Sequence, residues 1–169
     1  MIVFAKRITP LLLLLSAPAL GAGQLEARQD TTINAPGEEI WDVLGDFCSI
    51  AAWHPAVVYC TQKGNTQPDA MRTLTLGNGE QLHERLLEHD NAAMRYRYSI
   101  PEPNLNALPV TDYESSVLVE ELGNGKTRVV WEGSFNAGGD TGDEDAVSAI
   151  DGVYQGGLAM LKEMIEGLK

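Results

Sequence analysis

The sequence predicts an α+β domain in which a curved, antiparallel, seven-stranded sheet wraps around a long C-terminal helix. Between residues 57 and 135, apolar and polar residues alternate in short segments separated by turn residues, a pattern typical of antiparallel strands. Residues 143–168 instead carry apolar side chains at helical spacing. The chain of 169 residues is long enough for one domain with a sizeable core. The predicted order is a strand, a helix, a short helix, six strands and the long helix.

The first 22 residues have the layout of a secretory signal peptide. Lys6 and Arg7 precede an apolar stretch from Ile8 to Leu20, and small residues occupy most of positions 19–23. The apolar stretch is short for a membrane span, although an uncleaved anchor is the alternative interpretation. We therefore expect residues 1–22 to be removed, with cleavage somewhere within 19–23. Residues 24–169 would then form a periplasmic or secreted domain.

The chain is strongly acidic. Its formal net charge is −12, and removing two of the 12 basic residues leaves 10 − 24 = −14. Such a surface disfavours nucleic acid and anionic membranes as partners. It is compatible with a basic protein partner, although the simpler interpretation is that the charge only keeps the protein soluble.

The first strand is predicted over residues 24–34. A helix then begins at Asn34-Ala35-Pro36, because proline suits the first turn and the glutamates after it lie near the positive end of the helix dipole. The apolar face of this helix consists of Ile40, Trp41, Val43, Leu44 and Phe47, and Gly45 ends or weakens it. A short helical turn is predicted over residues 49–52.

A corner follows at Trp53-His54-Pro55, since proline forbids a helix through it and pushes the preceding residue toward an extended backbone. The only two cysteines, Cys48 and Cys60, flank this corner. In an exported protein we expect them to form a disulfide that fixes the corner. Two free buried thiols and a metal-binding pair are the alternatives, and the spacing fits no common metal site.

The motif F-C-x-I-x-x-W-H-P-A-V-x-x-C at residues 47–60, preceded by I-W-D-V-L-G-D, resembles the START/Bet v1-like (SRPBCC) superfamily in its polyketide cyclase/dehydrase-like branch. Within that branch it is most similar to periplasmic proteins of the MxaD type, which are associated with methanol oxidation. The resemblance extends from about residue 31 to residue 168. It implies a helix-grip fold with a ligand cavity between the sheet and the long helix. It does not fix the function, because this fold hosts carriers, cyclases and partner proteins.

A strand at residues 57–61 and a polar turn at 63–69 precede a predicted hairpin of residues 71–76 and 80–88. A two-residue turn would set Arg72 against Arg85, whereas a three-residue loop sets Arg72 against Glu84 and is favoured. The pair then lies on the more apolar face, partly buried. We interpret it as a structural ion pair rather than a catalytic one.

Further strands are predicted at residues 94–100, 111–122 and 126–135, and a proline-containing loop at 101–109 is long enough to be a lid. A glycine- and aspartate-rich loop leads to the last helix. Its inward stripe is predicted to be Val147, Ile150, Tyr154, Leu158, Leu161, Ile165 and Leu168. The glycines at 152, 156 and 157 within it permit either close packing against the sheet or room for a ligand.

The candidate ligand-binding residues are aromatic side chains on the predicted inner surfaces together with the corner histidine: Trp53, His54, Tyr96, Tyr98, Tyr113, Trp131 and Tyr154. Ordinary core packing is the alternative role for each of them. The sequence contains no nucleophile elbow, metal-ligand cluster or phosphate loop, so no metal or cofactor is expected. His54 is the best acid/base candidate by residue type and Glu84 the second, while His83 and His89 are expected to face solvent.

Three functions are compatible with these features. The favoured hypothesis is an exported, non-enzymatic domain that binds a small hydrophobic molecule. The second is an MxaD-like accessory protein that assists a periplasmic dehydrogenase and cytochrome system by docking to a basic redox protein. The third is a cyclase- or hydrolase-like enzyme that uses His54.

Overall fold

The computed structural model describes residues 23–167, so the predicted signal peptide lies outside the described residues. The elements are β1 (Leu25–Ile33), α1 (Gly37–Leu44), α2 (Ile50–Trp53), β2 (Val57–Lys63), β3 (Met71–Leu76), β4 (Gln81–Asp90), β5 (Arg95–Ser99), β6 (Val110–Gly123), β7 (Lys126–Ala137) and α3 (Asp143–Gly167). The strands form one antiparallel sheet in the order β1-β7-β6-β5-β4-β3-β2. This order confirms the predicted α+β helix-grip architecture.

The hairpin of β3 and β4 has the predicted register. Arg72 lies opposite Glu84, and Leu74 lies opposite Leu82. The Leu76 N–H donates to the carbonyl of Glu80, so residues 77–79 form the three-residue connection. The alternative two-residue turn would have set two arginines against each other. Opposite charges on a buried face therefore define the register of this pair.

Helix α1 begins after Pro36 and carries Glu38 and Glu39 in its first turn, where the helix dipole favours acidic side chains. Its buried side chains, Ile40, Trp41 and Leu44, belong to the main core. The helix thus covers part of the inner surface of the sheet, ahead of the corner that follows it.

Helix α3 supplies the other wall of the interior. Its buried residues are Ala146, Ile150, Tyr154, Gly157, Leu158, Leu161 and Ile165. The predicted stripe was therefore mostly correct, but Val147 is only half-buried, and Leu168 lies outside the described residues. Within residues 23–167, no helix combines the length and apolar character needed to cross a membrane.

The two surfaces of the sheet differ in chemistry, as the alternation along β5 predicts. Tyr96 and Tyr98 are buried on the inner surface. Arg97 lies on the outer surface, where it contacts Glu114 of β6. Arginine and glutamate side chains form ion pairs on the outer surface of the sheet. The interior consists of aromatic and aliphatic side chains and a few buried polar ones.

Candidate functional site

The corner after α2 is fixed at both ends. Cys48 and Cys60 form a disulfide with a Cα–Cα distance of 5.7 Å, within the usual range for such a bridge. The structure therefore contains neither the free thiols nor the metal pair considered from the sequence. His54 is extended, with φ of −92° and ψ of 122°, as expected before Pro55. The bridge ties the segment after α1 to strand β2 and turns Trp53 and His54 into the interior.

Both ring nitrogens of His54 have backbone partners. The Ala56 N–H donates to Nδ1 at 3.2 Å, and Nε2 lies 3.0 Å from the Val153 carbonyl oxygen. Because Nδ1 accepts, Nε2 carries the proton and donates to Val153 of α3. Burial lowers the pKa of His54, the Val153 bond opposes that shift, and the charge of Arg72 adds to it. His54 is therefore a neutral side chain that joins the corner to α3.

Arg72 and Glu84 form a buried ion pair, with 0% and 5% of their side chains exposed. Arg72 Nε lies 2.5 Å from Glu84 Oε2, and Nη1 donates to the Phe47 carbonyl. The guanidinium carbon lies 3.9 Å from the centre of the Phe47 ring. Burial raises the pKa of Glu84, and Arg72 opposes this shift. Arginine keeps its charge in proteins, so the Glu84 carboxylate is needed as its counter-ion.

A chain of buried hydroxyl groups lies beside this ion pair. The Tyr98 and Tyr113 hydroxyl oxygens are 3.3 Å apart, and those of Tyr113 and Tyr154 are 2.8 Å apart. Tyr154 also lies 3.0 Å from Ser115 Oγ, which donates to the Glu132 carbonyl at 2.8 Å. The indole N–H of Trp131 is shared between Tyr98 at 3.1 Å and Ser115 at 3.0 Å. Strands β5, β6 and β7 and helix α3 each supply at least one member.

Burial keeps these phenols protonated. It raises the pKa values of Tyr98, Tyr113 and Tyr154 well above the ordinary tyrosine value. Burial also raises the pKa of Tyr96 to about 12. The four tyrosines are therefore neutral hydrogen-bonding groups at physiological pH.

A cavity of about 120 Å³ lies between the sheet and α3. Its lining residues are Ile50, His54, Ala56, Val57, Leu74, Leu76, Leu82, Glu84, Tyr98, Ala107, Leu108, Tyr113, Trp131 and Val153. Most of them are apolar, and the polar groups are the histidine, the glutamate, the two phenols and the indole. The predicted site residues His54, Tyr98, Tyr113 and Trp131 are thus brought together around one space.

The other three predicted ligand-binding residues do not line this cavity. Trp53 is buried with its ring centre 5.8 Å from that of Trp131. Tyr154 stacks on Trp131 with ring centres 4.7 Å apart and belongs to the hydroxyl chain. Tyr96 packs against Phe47 and against the lining residue Tyr98. Each of the three thus contacts a lining residue without lining the cavity. Strand alternation distinguishes the inner surface of the sheet from the outer one but does not locate a cavity along that surface.

Most of the aliphatic lining residues were not predicted from the sequence. Leu74 and Leu82 come from the face of the hairpin that also carries the ion pair, so the predicted register contained the signal that could have found them. Ala107 and Leu108 come from the 101–109 loop, which supplies a wall of the cavity. Leu105 of that loop is 44% exposed and does not contribute.

One of the remaining histidine predictions was wrong. His89 is half-buried, packs against Trp41 with ring centres 5.4 Å apart, and lies 2.7 Å from the Gly45 carbonyl oxygen. It joins β4 to the end of α1 because an imidazole N–H can cap the last carbonyls of a helix. His83 is exposed, as predicted.

Among residues 23–167, no cluster of three or more histidine, cysteine, aspartate or glutamate side chains could hold a metal ion.

The family model for polyketide cyclase/dehydrase and lipid transport proteins matches residues 24–166. The chain belongs to this family. The assignment agrees with the resemblance to the polyketide cyclase/dehydrase-like branch of the SRPBCC superfamily. No match was found among functionally curated proteins.

Solved structures of similar proteins show the same helix-grip fold. XoxI from Bacillus cereus is 26% identical, with a TM-score of 0.78 over 86% of this chain and 98% of its own. A protein from Thermobifida fusca is 33% identical, with a TM-score of 0.74 over 85% and 95% of the two chains. The di-domain ARO/CYC protein BexL of the BE-7585A biosynthetic pathway is 21% identical, with a TM-score of 0.71 over 83% of this chain and 46% of BexL. At that identity BexL supports the fold alone.

Proposed function

We propose that this family member is an exported, non-enzymatic protein that binds a small hydrophobic molecule in the cavity between its sheet and α3. The observation that carries the proposal is the cavity itself, which is mostly apolar and contains a few convergent polar groups. Such concave, mostly apolar spaces are the usual binding sites for small molecules. The family description, which includes lipid transport, supports the same class of function.

The size of the cavity limits its ligand. Its volume of about 120 Å³ is close to that of the engineered apolar cavity of about 150 Å³ that binds benzene in another protein. A molecule of about one ring therefore fits without rearrangement.

The environment of His54 argues against the enzymatic alternative. A general acid or base needs a nitrogen that can reach the substrate, and both nitrogens of this ring are bonded to backbone groups. Its lowered pKa also removes the imidazolium form near neutral pH. These contacts favour a structural role for His54 in the wall of a binding cavity.

Native mass spectrometry of protein purified from its own host, followed by calorimetric titration with single-ring compounds, tests the proposal. We expect a co-purifying small molecule or measurable binding of an aromatic ring. Ala107→Leu, which fills part of the cavity, should weaken binding, whereas Ala159→Leu on the exposed side of α3 should not. A clean ligand-free mass together with no binding of any ring would contradict the proposal.

Export is supported by the signal-like residues 1–22 and by the disulfide, because disulfides persist in oxidising compartments. Fractionation of the host and sequencing of the mature N-terminus test this part of the proposal. We expect a periplasmic or secreted protein that begins within or just after residues 19–23. A cytosolic protein that retains residues 1–22 and has two free thiols would contradict export.

An MxaD-like accessory role is a second candidate, favoured by an open acidic groove. Leu25 of β1 and the first half of α3 form this groove, which is lined by Asp143, Glu144 and Asp151. An acidic surface steers a basic periplasmic redox protein toward docking in a salt-dependent way. A pull-down from the periplasm at low and high salt tests the role, and the Glu144→Lys variant should weaken capture. Capture that is unaffected by salt and by this variant would count against it.

A further inference from the structure

Only one arrangement of the protons in the hydroxyl chain beside the cavity makes every one of its contacts a hydrogen bond. It contains four oxygen–oxygen contacts, Tyr98–Tyr113, Tyr113–Tyr154, Tyr154–Ser115 and Ser115–Glu132 carbonyl, and four hydroxyl protons. A carbonyl only accepts, so Ser115 must donate to Glu132. Ser115 then accepts from Tyr154, which in turn accepts from Tyr113. The remaining proton, that of Tyr98, is donated to Tyr113.

This arrangement leaves no hydroxyl proton for the cavity. Tyr98 and Tyr113 both line the cavity, and each has donated its proton along the chain, so each can offer only an acceptor oxygen. The Trp131 indole N–H is likewise donated to Tyr98 and Ser115. The polar aromatic wall of the cavity therefore accepts hydrogen bonds and donates none.

The other polar lining groups have the same character. Both nitrogens of His54 are engaged with backbone groups. Glu84 lines the cavity and accepts from Arg72 through Oε2, and an ionised carboxylate accepts hydrogen bonds and donates none. A ligand whose polar group can only accept hydrogen bonds would find no donor among these lining groups. A buried acceptor without a donor loses its hydration with no compensation.

We propose that the cavity selects small, uncharged ring compounds that carry a hydrogen-bond donor, such as phenols, over compounds of the same size that carry only an acceptor. The inference rests on the proposed ligand-binding function and adds the polarity of the ligand. The ligand's donor bonds to the Tyr98 or Tyr113 oxygen or to the Glu84 carboxylate. Its ring occupies the space between the leucines of the β3–β4 hairpin and Val153 of α3.

Calorimetric or NMR titration with phenol and with benzaldehyde tests the preference in the intact mature domain. The two probes share the ring; phenol can donate a hydrogen bond, whereas benzaldehyde, which is one carbon atom larger, only accepts. The comparison of wild type with the variants below separates this difference in size from the hydrogen bonding. We expect phenol to bind at least about tenfold more tightly, since one satisfied hydrogen bond to a buried acceptor contributes on that scale. Tyr59→Phe, at a position that is 61% exposed, is the control and should leave the ratio unchanged.

Two variants should weaken or abolish the preference for phenol. Tyr154→Phe removes the acceptor of the Tyr113 proton, so that this proton becomes available to the cavity. Ser115→Ala reverses the direction of the chain, because the Tyr154 proton must then go to Tyr113 and the Tyr98 proton is released. In each variant we expect the phenol preference to shrink by about tenfold and benzaldehyde binding to improve. A merely structural role for these residues would weaken both probes alike. The use of two variants keeps the test valid if one of them fails to fold.

The outcomes separate this inference from the proposed function. If both probes bind equally well, or benzaldehyde binds more tightly, the inference is overturned while ligand binding stands. If the wild-type preference for phenol persists unchanged in folded Tyr154→Phe and Ser115→Ala, the proton chain is not its cause and the inference is overturned. If neither probe binds and no ligand co-purifies, both proposals are overturned.

Discussion

Two buried polar clusters touch the cavity, and they are built on opposite principles. In the charged cluster, Arg72 bonds Glu84 and the Phe47 carbonyl, yet its Nη2 has no hydrogen-bond partner within residues 23–167. In the neutral cluster of Tyr98, Tyr113, Tyr154, Ser115 and Trp131, every hydroxyl proton has an acceptor. The clusters meet where the Arg72 guanidinium lies 5.1 Å from the centre of the Tyr98 ring.

This difference indicates that the charged cluster has a structural role and that the neutral cluster has a role in ligand recognition. A buried ion pair contributes little net stability, but the loss of one partner leaves the other charge buried without a counter-ion, which destabilises the protein. A neutral chain that is fully bonded has a definite proton direction, and a ligand can detect that direction. The charged cluster therefore holds the hairpin and the segment before the corner in place. The neutral cluster gives the cavity its polarity.

The largest expected effect comes from breaking the charged cluster. Glu84→Leu leaves the Arg72 charge buried without a counter-ion, and we expect it to cost about 3–5 kcal/mol of unfolding free energy in urea titrations. The double variant Arg72→Met with Glu84→Leu should recover most of that loss, since an apolar pair replaces both charges. Glu120→Gln, on the exposed outer surface beside Arg128, should change stability very little. If the double variant is as unstable as Glu84→Leu, the unpaired charge of Arg72 is not the cause of the destabilisation.

Removing the disulfide should have the next largest effect. Cys48 follows Phe47, whose carbonyl binds Arg72, so the bridge restrains one wall of the charged cluster. Reduction, or the Cys48→Ala and Cys60→Ala double variant, should cost on the order of 3 kcal/mol, which lowers the melting temperature by several degrees. Ligand binding should weaken as well, because the corner that positions His54 loses its anchor. Identical melting curves with and without reductant would contradict this role.

Packing against the neutral cluster can be tested with two glycines of the same helix. A Cβ at Gly157 would lie 2.5 Å from a His54 ring carbon and 2.9 Å from the Trp131 ring, whereas a Cβ at Gly152 would meet nothing within 4 Å. We therefore expect Gly157→Ala to cost about 1–3 kcal/mol by overpacking. Gly152→Ala should stabilise the helix by up to about 1 kcal/mol. Equal effects in thermal unfolding would argue against close contact between α3 and the corner.

A smaller effect is expected in the pH dependence of the unfolding free energy. Burial lowers the pKa of His54 from its ordinary value of 6.5, so below that pH the unfolded chain takes up a proton that the folded protein does not. The stability linked to His54 is fully present above pH 6.5 and is lost as the pH falls toward the lower folded value. His54→Asn, whose side-chain oxygen can still accept from Ala56, should show a shallower loss of stability between pH 7 and pH 5. Parallel pH profiles for the two proteins would contradict the assignment.

The sequence contained much of the fold but less of the site. The charges of Arg72, Glu84 and Arg85 determined the hairpin register, since only one register pairs opposite signs. The aromatic residues of β5 to β7 were correctly assigned to the inner surface, because alternation separates the two surfaces of a strand.

The cavity itself could not be located from the sequence, because its position depends on how α3 and the corner close over the sheet. Trp53, Tyr96 and Tyr154 have the same inward pattern as the residues that line it. Ser115 completes the hydroxyl chain, but a single serine on a buried strand face carries no distinctive signal. Its partners come from residues 16 to 39 positions away.

The central claim, that a small molecule occupies the cavity beside the neutral cluster, is tested most directly by the indole N–H signals of the three tryptophans. Trp131 lines the cavity, Trp53 packs against Trp131 without lining the cavity, and the Trp41 indole N–H donates to Asn91 away from the cavity lining. In ¹⁵N-labelled protein titrated with phenol, we expect a large saturable shift of the Trp131 signal, a smaller shift of Trp53 and no shift of Trp41. A Trp131 signal that stays fixed while the protein is saturated, or a shift confined to Trp41, would contradict the account.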